Sequence, residues 1–93
     1  MKFLTERPIP GGFDTSDSSD VERHTRIAIE AHRKVGTQWL GTYVTQDRLF
    51  GLVLADSEEH LRRFWDAAGI TGQPVTAHLV VGQIDPFTAE DTT

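Results

Sequence analysis

The sequence predicts an α+β fold of the ferredoxin-like kind. This is a β-α-β-β-α-β sandwich with two helices on one face of a four-stranded antiparallel sheet. Three observations carry that reading. Four short stretches have strand composition, and two have helical periodicity with capping signals. Their order gives two β-α-β halves joined by a hairpin. The 93 residues contain no repeat and no linker, so they make one domain, residues 1–93, with a polar tail from about 87.

The elements follow in chain order. Residues 2–7 alternate Phe3, Thr5 and Arg7 against Leu4 and Glu6, which predicts a short strand ended by Pro8, Pro10, Gly11 and Gly12. Ser19-Asp20-Val21-Glu22 reads as a capping box, so a helix begins near Asp20, runs to Val35 and stops at Gly36. Residues 38–45 and 49–55 read as strands joined by a tight turn at Gln46-Asp47-Arg48. A second helix starts after Asp56, with Glu59 completing its capping box. Its apolar stripe is Leu61, Phe64, Trp65 and Ala68, and Gly69 ends it. Residues 75–84 read as the fourth strand, closed by Asp85-Pro86.

Helices on one face should leave the opposite sheet face polar. Here both faces carry apolar residues: Leu49, Val53 and Ala55 against Phe50, Leu52 and Leu54 in the third strand. A bare apolar face of that size is unusual on a monomer. The simplest cover is a second copy, sheet to sheet, in an isologous homodimer. A small core needs such support, because a chain of this length without cysteine has no disulfides to add to it.

Charge and composition exclude several functions. Nine Lys and Arg against fourteen Asp and Glu give a net charge of −5, and the basic residues are scattered among acids. That argues against a nucleic-acid partner. No apolar run approaches a membrane span, and the N-terminus lacks a signal-peptide core, so a cytoplasmic protein with no membrane partner is expected. Without cysteine, any metal site must use nitrogen and oxygen ligands.

Four histidines are the chemical candidates. On a helical wheel of about 100° per residue, His24 and His32 fall in the same arc as Val21, Ala28, Ala31 and Val35. Two imidazoles thus sit among small residues on the sheet-facing stripe, which points to a polar-lined cavity. They lie about 12 Å apart along the helix axis, too far to chelate one ion together, so they mark two ends of one pocket or two sites. His60, beside Glu58 and Glu59, reads as an exposed helix residue, and mid-strand His78 as a core or interface group. Trp39 and Tyr43 flank Gly41 on what strand alternation makes one face, a notch in which a flat ligand would fit. No phosphate loop, nucleophile elbow or strong metal motif is present.

Four stretches together carry a resemblance: Glu6-Arg7-Pro8-Ile9-Pro10-Gly11, Trp39-Leu40-Gly41-Thr42-Tyr43-Val44-Thr45-Gln46-Asp47, Ala55-Asp56-Ser57-Glu58-Glu59 and Ile84-Asp85-Pro86-Phe87-Thr88-Ala89-Glu90. In order and spacing the chain resembles a family of small bacterial ferredoxin-like proteins, formerly a domain of unknown function and now described as nickel-binding. The resemblance implies a homodimer and divalent metal binding. This chain departs from the pattern in having Gly41 where the family often has His, and Phe64 near a second such position. His24 and His32 in turn stand where the family is usually apolar.

Two functions are therefore expected. The first is binding of nickel or another divalent ion through histidine and carboxylate ligands, with His24, His32 and His78 as candidates. The alternative is a ligand binder or a cofactor-free enzyme of cyclase, isomerase or oxygenase type. It would use a helix–sheet cavity lined by His24, His32, Trp39 and Tyr43, with His24, His32 and Tyr43 catalytic and Trp39 holding the ligand. Enzyme chemistry at that place rests on fold-level analogy.

Overall fold

The computed structural model describes residues 1–70, 72 and 74–87. Its elements are β1 (Lys2–Pro8), α1 (Ser18–Val35), β2 (Gln38–Val44), β3 (Arg48–Leu54), α2 (Glu58–Ala67) and β4 (Thr76–Leu79). The strands form one sheet in the order β2-β3-β1-β4, every neighbouring pair antiparallel. This is the expected ferredoxin-like arrangement. No helix among the described residues is long and apolar enough to cross a membrane.

Both helix starts lie one or two residues from where the sequence placed them. Asp17, not Ser19, caps α1: its carboxylate accepts from the backbone N–H groups of Ser19 and Asp20. Ser57, not Asp56, caps α2 by accepting from the His60 N–H. An N-cap needs extended backbone and a short polar side chain, and several adjacent residues here qualify. Gly36 ends α1 as expected. It takes the left-handed conformation at φ 79°, and its N–H closes on the His32 carbonyl. The exposed helix faces are held by ion pairs, Arg23 with Asp20, Arg26 with Glu22 and Arg62 with Glu58.

Pairing fixes the faces of the sheet. Residues directly opposite one another share a face. Phe3 opposes Val53 and Leu79, Thr5 opposes Gly51 and Ala77, and Arg7 opposes Leu49; all of these lie on the helix side. Leu4 opposes Leu52 and His78, and Glu6 opposes Phe50, on the outer side. The core gathers at one end, where Phe3 and Val53 meet Ala31 of α1, Ala55, and Leu61 and Phe64 of α2. At the other end the sheet offers the small Thr5, Gly51 and Thr42 beneath α1. A Cβ on Gly51 would meet the Thr5 hydroxyl at 2.8 Å.

Two strand expectations are corrected. The fourth strand stops at Leu79 rather than 84; the Val80 N–H still donates to the Lys2 carbonyl, and Val81 to Phe87 extend beyond the sheet, with Val81 and Ile84 each 93% exposed. The polar tail expected from about 87 lies, after Phe87, outside the described residues. In β2, the register shifts between Trp39 and Gly41: Trp39 opposes Val53 while Gly41 opposes Leu52, leaving Leu40 as the extra residue of a bulge. The bulge flips the side-chain alternation. Trp39, Thr42 and Val44 face the helices, whereas Tyr43 opposes Phe50 on the outer side and is 67% exposed. Trp39 and Tyr43 therefore do not share a face. Gly41, at φ 150°, serves the bulge, with open space where a Cβ would stand.

Candidate functional site

Three elements enclose a cavity of about 250 Å³ at the end of the sandwich opposite the core. The β1–α1 connection supplies Phe13 and Thr15. The first turns of α1 supply Val21, His24 and Thr25, spaced three and four apart so that all project from one stripe. The sheet supplies Trp39, Thr42, Val44 and Leu49. Because of the bulge, the Trp39 indole lies under α1, where its N–H donates to the Thr42 hydroxyl over 2.9 Å. That leaves the Thr42 proton available to a ligand. Thr25 instead spends its hydroxyl on the Val21 carbonyl, 2.7 Å away.

His24 is half-buried, with its ring edge-on to Phe13 at 5.3 Å between centroids. Burial holds its pKa below the ordinary imidazole value, and the guanidinium groups of Arg7 and Arg23 push it the same way. The ring is then neutral at pH 7, offering one donor and one acceptor.

His32 does not reach this cavity. It is buried, its ring stacked on Phe64 at 3.8 Å and near-parallel to Trp39 at 6.2 Å. Its Nδ1 shares a 2.7 Å hydrogen bond with the Thr37 hydroxyl. Burial pushes its pKa down to about 4, so it is a neutral core group. It backs Trp39 and thereby supports the cavity wall.

The remaining candidates lie elsewhere. His78 is on the outer sheet face, across from Leu4, and Tyr43 shares that side. His60, expected to be exposed, is buried at 6%. Its Nδ1 accepts the Asp56 N–H at 3.0 Å and its Nε2–H donates to the Val35 carbonyl at 2.6 Å, tying the start of α2 to the end of α1. Helical side chains lean toward the N-terminus, which brings an N3 imidazole back over the cap. The proposed metal candidates His24, His32 and His78 thus occupy three separate places. No group of three His, Asp or Glu side chains able to hold an ion comes together among the described residues. The sequence pointed to His24 and Trp39 but missed Phe13, Thr15 and Thr42. Nothing local in the sequence folds residues 9–17 over the helix.

No family model matches the chain, and no curated protein matches it. Solved structures do. A Streptomyces coelicolor A3(2) protein, SCO4226, superposes with a TM-score of 0.71 at 13% identity, over 90% of this chain and all of that one. A Deinococcus radiodurans R1 protein, provisionally described as a transposase, superposes with a TM-score of 0.59 at 8% identity, over 99% of this chain and 85% of that one. At such identities the likeness is one of fold.

Proposed function

We propose that this protein binds a small, flat organic molecule in the cavity between α1 and the sheet. The observation that carries the proposal is the meeting of one neutral imidazole, one indole and free hydroxyl capacity around about 250 Å³ of space. Apolar walls with a few convergent polar groups are the usual make-up of a ligand site. The volume is below the roughly 300–1,000 Å³ typical of drug-sized ligands, so the molecule has one or two rings. His24 is the group placed to exchange hydrogen bonds with it. His32 and Tyr43 have no part in that contact.

The test is a fragment titration followed by NMR. Binding should move the His24 ring and Trp39 indole signals while leaving His78 unchanged. Filling the cavity with Thr25→Met should abolish the response in a protein that still melts cooperatively. A response that survives the filling, or no response from any fragment, overturns the proposal. A divalent-metal function has less support, since its candidate imidazoles are dispersed. Calorimetry with Ni²⁺ at micromolar concentration decides it, and tight binding would restore that reading.

We infer further that a second copy covers the outer sheet face. Leu4, Phe50, Leu52 and Leu54 form an apolar patch on that face. The stretch beyond β4 carries Val81, Ile84 and Phe87 with most of their surface bare. One chain thus presents both an apolar sheet and an apolar arm, the two halves an isologous pair would exchange.

A further inference from the structure

We infer that the molecule this cavity takes is uncharged: an aromatic ring carrying an amide or lactam group, whose carbonyl accepts from the Thr42 hydroxyl and whose N–H donates to His24. This rests on the cavity being the binding site and adds the polarity of what enters it.

The lining is polar without being charged. Phe13, Val21, Trp39, Val44 and Leu49 make its apolar walls, and three threonines and His24 supply its polar groups. No Asp, Glu, Lys or Arg is among the described residues of the lining. An ion moving in from water would gain no opposite charge to offset its lost hydration. The neighbouring cations are engaged: Arg23 pairs with Asp20 at 3.0 Å, and Arg7 has a partner of its own.

Hydrogen-bond accounting narrows the polar group. The Trp39 indole is a donor only, and its N–H is spent on Thr42. The Thr25 O–H is spent on the Val21 carbonyl. The Thr42 oxygen accepts from the indole, so what it has left to give is its own proton. Accepting a bond polarises that O–H and makes it a better donor. The His24 ring meets Phe13 edge-on and makes no hydrogen bond among the described residues. As a neutral imidazole it has one acceptor nitrogen to fill.

The cavity thus offers a donor at Thr42 and an acceptor at His24. An amide answers both, its carbonyl taking the Thr42 proton and its N–H filling the imidazole nitrogen. Its ring lies against Phe13 and Trp39. A carboxylate brings no donor and an amidinium no acceptor, so each leaves one of the two groups unanswered and carries a charge besides.

Four probes of similar size test this: benzamide, benzoate, benzamidinium and toluene, titrated at pH 7.5 with the His24 ring NMR signals as readout. Benzamide is expected to bind about tenfold more tightly than each of the others. Thr42→Val keeps the shape and removes the donor, and should cut the preference for benzamide over toluene about fivefold. Thr42→Ser keeps the hydroxyl and should keep the preference. Benzoate or benzamidinium binding as tightly as benzamide overturns the uncharged ligand, and toluene doing so overturns the amide; each result leaves the cavity as a site. A preference undiminished in Thr42→Val overturns the Thr42 contact. If none of the four moves the His24 signals, both the amide and the cavity reading fall.

Discussion

At the scale of single residues, one of the four histidines serves the cavity, two serve the fold, and His78 lies on the outer sheet face. His60 joins two elements through both ring nitrogens, and its replacement leaves the Val35 carbonyl and the Asp56 N–H without that partner. His60→Ala should cost about 2–4 kcal/mol in urea unfolding, well above the effect of an exposed helix substitution such as Glu59→Ala. His32 makes stability depend on pH, with a definite sign. Its folded pKa, about 4, lies below the ordinary imidazole value of about 6.5, so the unfolded chain binds the proton more readily. Its contribution is complete above about pH 6.5 and is lost as the pH falls toward 4. At pH 5 the loss is about 2 kcal/mol relative to pH 7. His24 adds in the same direction. His32→Phe keeps a ring against Phe64 and Trp39 but cannot titrate. Its stability should fall less between pH 7 and 5 than that of the unaltered protein, and parallel curves would remove His32 as the cause. The helical wheel placed both His24 and His32 on the inward stripe. It could not tell a cavity wall from a core stack, because that depends on which sheet residues lie beneath.

At the scale of elements, strand and helix identities were legible and their details were not. Every element was readable from composition, periodicity and glycine or proline stops. The cap of α1 was not, since Asp17, Ser18, Ser19 and Asp20 all have suitable side chains and only the backbone turn selects one. Asp17→Ala should therefore lower stability by about 1 kcal/mol, and Ser19→Ala by less than about 0.5 kcal/mol, in thermal unfolding. Equal effects would contradict the observed cap. The bulge in β2 was hidden for a different reason. Period-two reading assumes no inserted residue, and a single insertion turns every later side chain to the other face. That is why strand alternation alone puts Tyr43 on the face of Trp39 while the fold separates them. Gly41 permits the insertion at a φ that other residues rarely adopt. Gly41→Ala should cost about 1–2 kcal/mol and shift the Trp39 indole N–H signal, since the bulge sets where that ring lies. A variant with unchanged stability and an unchanged indole signal would show that the bulge does not need glycine.

At the scale of the whole molecule, the two ends of the sandwich and its two faces have different tasks. One end is packed by Leu61 and Phe64 and gives the fold its core, which leaves the other end free to be hollow. The helix face is thereby accounted for, and the outer face is not. Its Leu4, Phe50, Leu52 and Leu54 sit beside an arm whose Val81 and Ile84 project into solvent. Exposed apolar surface of this extent favours association, at roughly 25 cal/mol for each Å² removed from water. The inferred pair makes the solution mass twice that of the 10.4 kDa chain in sedimentation equilibrium. Leu52→Glu puts a charge at the centre of the outer face and should return the mass to that of one chain. Ile84→Asp should weaken the pair without changing the folded monomer, because Ile84 lies outside the sheet. A single-chain mass for the unaltered protein at tens of micromolar would reject the pair. A dimer broken by Leu52→Glu but indifferent to Ile84→Asp would keep the face and discard the arm. Ligand binding gives an independent check on the architecture: the cavity lies on the helix side, so Leu52→Glu should separate the chains and leave cavity titrations unchanged.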